Sequence, residues 1–177
     1  MLDVPGVVSR SASRTREQMK PAAKVGELME TLVNDLQFTA RMTQLAVARD
    51  WKQASPEQQK TLSDEFRTLL VRTYSKALTE YKNQTIDFRP FKMQPADTDV
   101  KVRTQIDQSG AKPIGLDYYL EKLPNGWKVY DIEVGGVSLV TNYRSEFGNQ
   151  VRQSGIDGLI ATLQKKNKTG EASVPKK

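Results

Sequence analysis

The chain has 177 residues, with 27 Lys and Arg against 21 Asp and Glu, a formal net charge of +6 and a pI near 9.5. That is the length of one ordinary domain, with a mild leaning toward anionic partners such as nucleic acid or lipid headgroups. It contains no Cys and no His, which excludes disulfides, thiolate nucleophiles, Ser-His-Asp relays and His-ligated zinc.

No apolar run approaches the ~20 residues that span a bilayer, and the opening "MLDVPGVVSRSASR" has no signal-peptide apolar region. Residues 1–22 mix Ser, Arg, Pro and Gly without apolar period and read as a weakly structured tail. From Val25 to Trp51 apolar residues recur at helical spacing, which predicts two helices broken between Asn34 and Gln37.

"ASPEQQ" is a helix start, with Ser55 as N-cap, Pro56 at the first helical position and Gln58 closing a capping box. The stripe Leu62, Phe66, Leu69, Leu70, Tyr74, Ala77, Leu78, Tyr81 extends that helix and requires a broad apolar surface to cover it. After Asn83 the period shortens, and "TIDFRPF", "DVKVRTQI", "PIGLDYYLEK" and "GWKVYDIEV" read as four strands joined by turn-forming stretches.

The closing segment reads as a short helix, a break at Gly155 and a last helix, followed by a disordered basic tail over residues 166–177. Helices, then strands, then helices make an α+β fold, a single domain over residues 23–165.

Several chemistries are testable by pattern. "SGAK" at Ser109 to Lys112 and Lys168-Thr169-Gly170 resemble motifs of penicillin-recognising serine enzymes, but one falls in a turn and the other in a tail. Gly135-Gly136 lacks the third glycine and the Lys-Ser/Thr of a phosphate loop, and reads as a hinge that folds Val137, Leu139 and Val140 back over the sheet.

Asp131 and Glu133 alternate on a strand and are the candidates for acid-base chemistry in a small cone-shaped isomerase or hydrolase. The competing reading is that they face solvent or anchor a turn. The strands lack the aromatic pairs of an RNA-binding sheet. Large apolar groups occupy both parities of the last strand, Trp127 and Val129 on one and Tyr130, Ile132 and Val134 on the other. A filled core and an open pocket both fit that pattern.

The stretch "WKVYDIEVGGVSLVTNYRSEF", followed by "SGIDGLIATL", is similar in order and spacing to the MlaC family of periplasmic lipid carriers, also called toluene-tolerance auxiliary proteins. "DWKQASPEQQKTLSDEFRTLLVRTYSKAL" supports the resemblance, which spans Leu32 to Leu163. Two departures stand out: Gly135 replaces a frequent acidic residue, and Ala48 replaces a glycine common before the tryptophan.

The resemblance implies a curved antiparallel sheet of about four strands against a layer of helices, in the nuclear-transport-factor or cystatin-like arrangement. It implies no catalysed reaction and no cofactor, only a glycerophospholipid as cargo, held by its acyl chains. The implied setting is the periplasm. There a monomer would exchange lipid with an inner-membrane ABC transporter complex, including its substrate-binding membrane protein, and with an outer-membrane lipoprotein-porin complex, maintaining outer-membrane lipid asymmetry. On this reading the expected pocket residues are Leu69, Tyr74, Leu78, Tyr81, Val102, Leu116, Tyr118, Val129, Tyr130, Ile132, Val137, Leu139, Val140 and Phe147, and Arg144 is the expected partner contact.

Overall fold

The computed structural model describes residues 35–79, 84–90, 92–108 and 110–170. Helix α1 spans Leu36–Val47 and begins where Asp35 accepts hydrogen bonds from the Gln37 and Phe38 N–H groups at 2.9 and 3.3 Å. That cap lies inside the expected break. The helix expected to precede it falls outside the described residues.

α1 stops short of Trp51. At Ala48 the backbone turns to φ 58°, ψ −129°, and a 3-10 helix carries Ala48–Gln53. A single helix through Trp51 was expected; the left-handed residue ends it, because a positive φ cannot continue the α-helical hydrogen-bond ladder.

Helix α2, Pro56–Thr79, opens on the capping box as expected. The Ser55 N–H donates to Gln58 Oε1 at 2.9 Å and the Gln58 N–H to Ser55 Oγ at 3.2 Å, so two end donors are satisfied reciprocally. Leu62, Phe66, Leu69 and Leu70 on its stripe are buried.

Five antiparallel strands form one sheet in chain order: β1 Gln84–Phe88, β2 Asp99–Gln108, β3 Ile114–Leu123, β4 Gly126–Val134 and β5 Val137–Ser138. The fifth strand is two residues long, and Gly135 and Gly136, at φ 57° and 85°, make the tight turn that pairs Val134 with Val137. Both φ values belong to the left-handed region that a two-residue hairpin needs, which is why paired glycine stands there.

β4 carries a bulge. Tyr119 pairs with Asp131 but Leu120 with Val129, leaving Tyr130 as the extra residue. The bulge resets parity, so Trp127 and Val129 share the core side with Ile132 and Val134.

Helix α3 runs Leu139–Thr169 with a kink at Gly155, where φ 71°, ψ −175° interrupts the helix at the expected break. It continues past the boundary set at residue 166 by composition. Asn167 is buried, and its Nδ2 donates to the Glu65 carbonyl and to Glu65 Oε2 at 2.9 and 2.7 Å, which docks the polar last turn onto α2. Gly170 in the left-handed conformation ends it.

The interior is one cluster. Phe66, Tyr143 and Phe147 meet edge-on between α2 and α3, with Phe66 ring centroids 4.7 and 5.0 Å from the other two. Helix α1 closes the side, tied to β3 by the paired bonds of the Arg41 guanidinium to Glu121 at 2.7 and 3.0 Å.

Candidate functional site

The residues expected to line a pocket fall into three groups. Leu69 on α2, Val102, Leu116, Tyr118 and Ile132 on the sheet, and Leu139, Val140 and Phe147 on α3 all belong to the same buried cluster, with Tyr74 and Val129 packed against its border. Their convergence follows from the pleat: Val102, Tyr118 and Ile132 are register partners across β2, β3 and β4, so their side chains rise on one face.

Tyr130 does not join them. The bulge turns it to the other face, where its hydroxyl donates to Asp99 Oδ2 at 2.8 Å and its ring lies 6.2 Å from Tyr119. Counting alternate positions along an unbroken strand placed it with Ile132, and the inserted residue breaks that count. Val137 is half-buried in β5. Tyr81 lies outside the described residues, and the side chain of Leu78 outside the described part of α2.

The carboxylates take different paths. Asp131 is buried and accepts from its neighbour's Ile132 N–H at 2.8 Å, from the Val140 N–H at 3.1 Å and from the Ser138 hydroxyl. It holds the first turn of α3, and burial pushes its pKa up against the pull of those three donors. Glu133 sits on the outer face beneath the Tyr119 phenol, which donates to it at 2.6 Å and, with Lys101, lowers its pKa. Lys101 also bonds Asp117 at 3.0 Å. The two acids hold separate sets of hydrogen-bond partners, and the turn-anchoring reading fits Asp131.

Arg144 is exposed, yet its Nε donates to the Leu45 carbonyl at 3.1 Å, satisfying a carbonyl in the last turn of α1. That tie was invisible in the sequence, since the two residues stand 99 apart.

A cleft of about 390 Å³ opens between α1 and the β3–β4 hairpin, bordered by Gln37, Arg41, Gln44, Trp51, Lys128 and Val129. Of the expected pocket residues whose side chains are described, only Val129 reaches it. Among the described residues no helix is long and apolar enough to cross a membrane, and no three acidic side chains gather as a metal site.

The family model described as "MlaC protein" matches residues 7–165. The chain belongs to the MlaC family. A solved structure titled as the phospholipid-binding protein from Ralstonia solanacearum, in complex with a phospholipid, superposes on this MlaC-family chain with a TM-score of 0.75. The two share 34% identity, over 96% of this chain and 99% of that one.

Two curated relatives agree. The intermembrane phospholipid transport system binding protein MlaC of Haemophilus influenzae is 32% identical over 117 residues, covering 64% of this chain. The toluene tolerance protein ttg2D of Pseudomonas putida is 26% identical over 131 residues, covering 71% of it. The matches span 55% and 60% of the length of those two relatives.

Proposed function

We propose that this MlaC-family chain is a phospholipid carrier that encloses acyl chains against the apolar cluster between its helices and sheet. The observation that carries the reading is the full-length likeness, at 34% identity, to a protein crystallised around a phospholipid.

The physics gives the enclosure a reason. About 28 acyl methylenes at ~0.8 kcal/mol each would cost on the order of 20 kcal/mol if exposed to water. A carrier must hide them, and it can release them because a bilayer offers similar burial at the other end. Apolar walls therefore suffice, and Leu69, Tyr74, Val102, Leu116, Tyr118, Ile132, Leu139, Val140 and Phe147 are the walls we assign.

In this reading the protein works in the periplasm, exchanging glycerophospholipid with an inner-membrane ABC transporter complex and an outer-membrane lipoprotein-porin complex, and so maintains outer-membrane lipid asymmetry. Arg144 meets an acidic partner surface. An Arg144→Glu variant that still exchanged lipid with both complexes would count against that contact, with Arg144→Gln reporting separately on the lost tie to Leu45.

The deciding experiment is native mass spectrometry of freshly purified protein with extraction of whatever co-purifies. An adduct of phospholipid mass is the expected result. A bare protein mass that persists after incubation with phospholipid vesicles would overturn the carrier reading and bring forward an enzyme using Asp131 or Glu133.

A further inference from the structure

Three hydroxyls in the protein interior have no hydrogen-bond partner among the described residues. Thr73 and Tyr74 lie on α2 and Tyr118 lies on β3, and the three oxygens are shut off from solvent. Thr73 and Tyr118 are 7% and 6% exposed as whole residues, and Tyr74 packs against the same core cluster that contains Tyr118.

The Thr73 hydroxyl departs from the habit of its own chain. Thr39, Thr43, Thr61, Ser63 and Thr68 each donate to the carbonyl four residues earlier in their helix. That local bond is the default for a helical hydroxyl with nothing else to do. Thr73 has the Leu69 carbonyl at the same offset and leaves its own hydroxyl unpaired.

Tyr118 stands between Leu116 and Leu120 on the core face, opposite Val102 and Ile132. The Thr104 hydroxyl is near enough to oppose the upward push of burial on the Tyr118 phenol. Its one proton goes to the Leu116 carbonyl, and its oxygen forms no hydrogen bond with the Tyr118 hydroxyl. Burial likewise pushes the Tyr74 phenol up. Both phenols are therefore neutral and hold a proton to donate.

A buried hydroxyl without a partner is destabilising, and native interiors hold few of them. Phenylalanine would fill either tyrosine's space without that penalty. Three such groups on two walls of one apolar interior call for an acceptor that the described residues do not supply.

We propose that Thr73, Tyr74 and Tyr118 are the polar lining of the cargo site and donate hydrogen bonds to the acyl-ester carbonyls of a bound glycerophospholipid. The inference rests on the carrier reading above and adds a chemical selectivity to it. Within the part of such a lipid that can enter a leucine-lined interior, the ester carbonyl is the strong acceptor. An ether oxygen in its place is a poorer one, so the site discriminates ester-linked from ether-linked lipid of equal length.

The test offers the full chain vesicles holding equal amounts of diester and diether phosphatidylcholine with matched chains and reads the bound lipids by mass spectrometry. Because both lipids leave the same bilayer, the change in their ratio between wild type and variant reports the contact with the carbonyl. The wild-type chain is expected to favour the diester by about fivefold, the equilibrium value of one ordinary hydrogen bond. Tyr118→Phe and Tyr74→Phe should each move the ratio toward one, and Thr73→Val should do the same.

Thermal unfolding of the lipid-free variants supplies the second readout, and each should melt at or above the wild-type temperature, since an unpaired group has been removed. A wild-type ratio of one, ratios unmoved by all three substitutions, or lipid-free variants that melt lower would each overturn the inference while leaving the carrier reading in place. Uptake of neither lipid by the wild-type chain would instead overturn the carrier reading and take this inference with it.

Discussion

Asp131 accepts the Val140 N–H at 3.1 Å, so the last long strand holds the first turn of the helix that follows it. The same carboxylate takes the Ile132 N–H and the Ser138 hydroxyl. One of the two acids weighed for acid-base chemistry thus clamps a chain reversal.

Replacing Asp131 by Ala strands the Ile132 and Val140 donors in a buried place and should cost about 1–3 kcal/mol. Asp131→Asn keeps one acceptor oxygen and should cost less. Urea unfolding midpoints give both values, and the folded fraction of each variant should load lipid like the wild type. If Asp131 were a general base, an activity would fall at least ~100-fold at unchanged stability.

Acid should separate the two carboxylates. The Glu133 pKa is lowered from 4.5, first by the Tyr119 phenol and then with Lys101. Its contribution to stability is therefore full above the unfolded pKa and lost as pH falls through the folded one. The Asp131 pKa is raised from 3.8, chiefly by burial. Its ionised form costs stability above the folded pKa, and that cost fades as pH falls toward the unfolded value. The stability gap between wild type and Glu133→Gln should shrink from neutral pH into acid, whereas the gap between wild type and Asp131→Asn should shift in favour of the wild type. Urea melts across that range check the signs, and parallel curves for the two variants would refute the assignment.

Ala48 sits at φ 58°, ψ −129°, a conformation that an L side chain occupies only under strain. Ala48→Gly should stabilise the fold by about 1 kcal/mol, a rise of about 2–4 °C in melting temperature at this size. Calorimetry decides it, and a lower melting temperature would mean that the loss of the Ala48 methyl outweighs the relieved backbone. Glycine is the residue this backbone prefers.

Gly155 reverses the argument. A Cβ there would meet open space, so Gly155→Ala tests the backbone alone, at φ 71°, ψ −175°. The expected loss is about 1–3 kcal/mol, read from the denaturation midpoint. An unchanged midpoint would show that α3 can straighten through residue 155 without losing the packing of Leu159 and Leu163.

The sequence alone determined what depends on a few neighbouring residues. The Ser55-Gln58 box located the start of α2, the apolar stripe gave its buried face, and paired glycine marked where the chain leaves β4 with positive φ, because caps, helical periodicity and left-handed turns are local physics. The family blocks from Trp127 to Phe147 carried the identification in the same way, as fixed spacings along the chain. Tertiary structure decided what depends on partners far away. A bulge opposite Tyr119 and Leu120 sent Tyr130 to the outer face. The contact of Asn167 with Glu65, 102 residues distant, docks the helix that continues through residues 166–169, where composition alone read a tail. The reach of Arg144 to Leu45 gave a surface cation an internal bond. The unpaired hydroxyls of Thr73, Tyr74 and Tyr118 belong to this second class, since only the packed chain reveals which buried donors have found an acceptor.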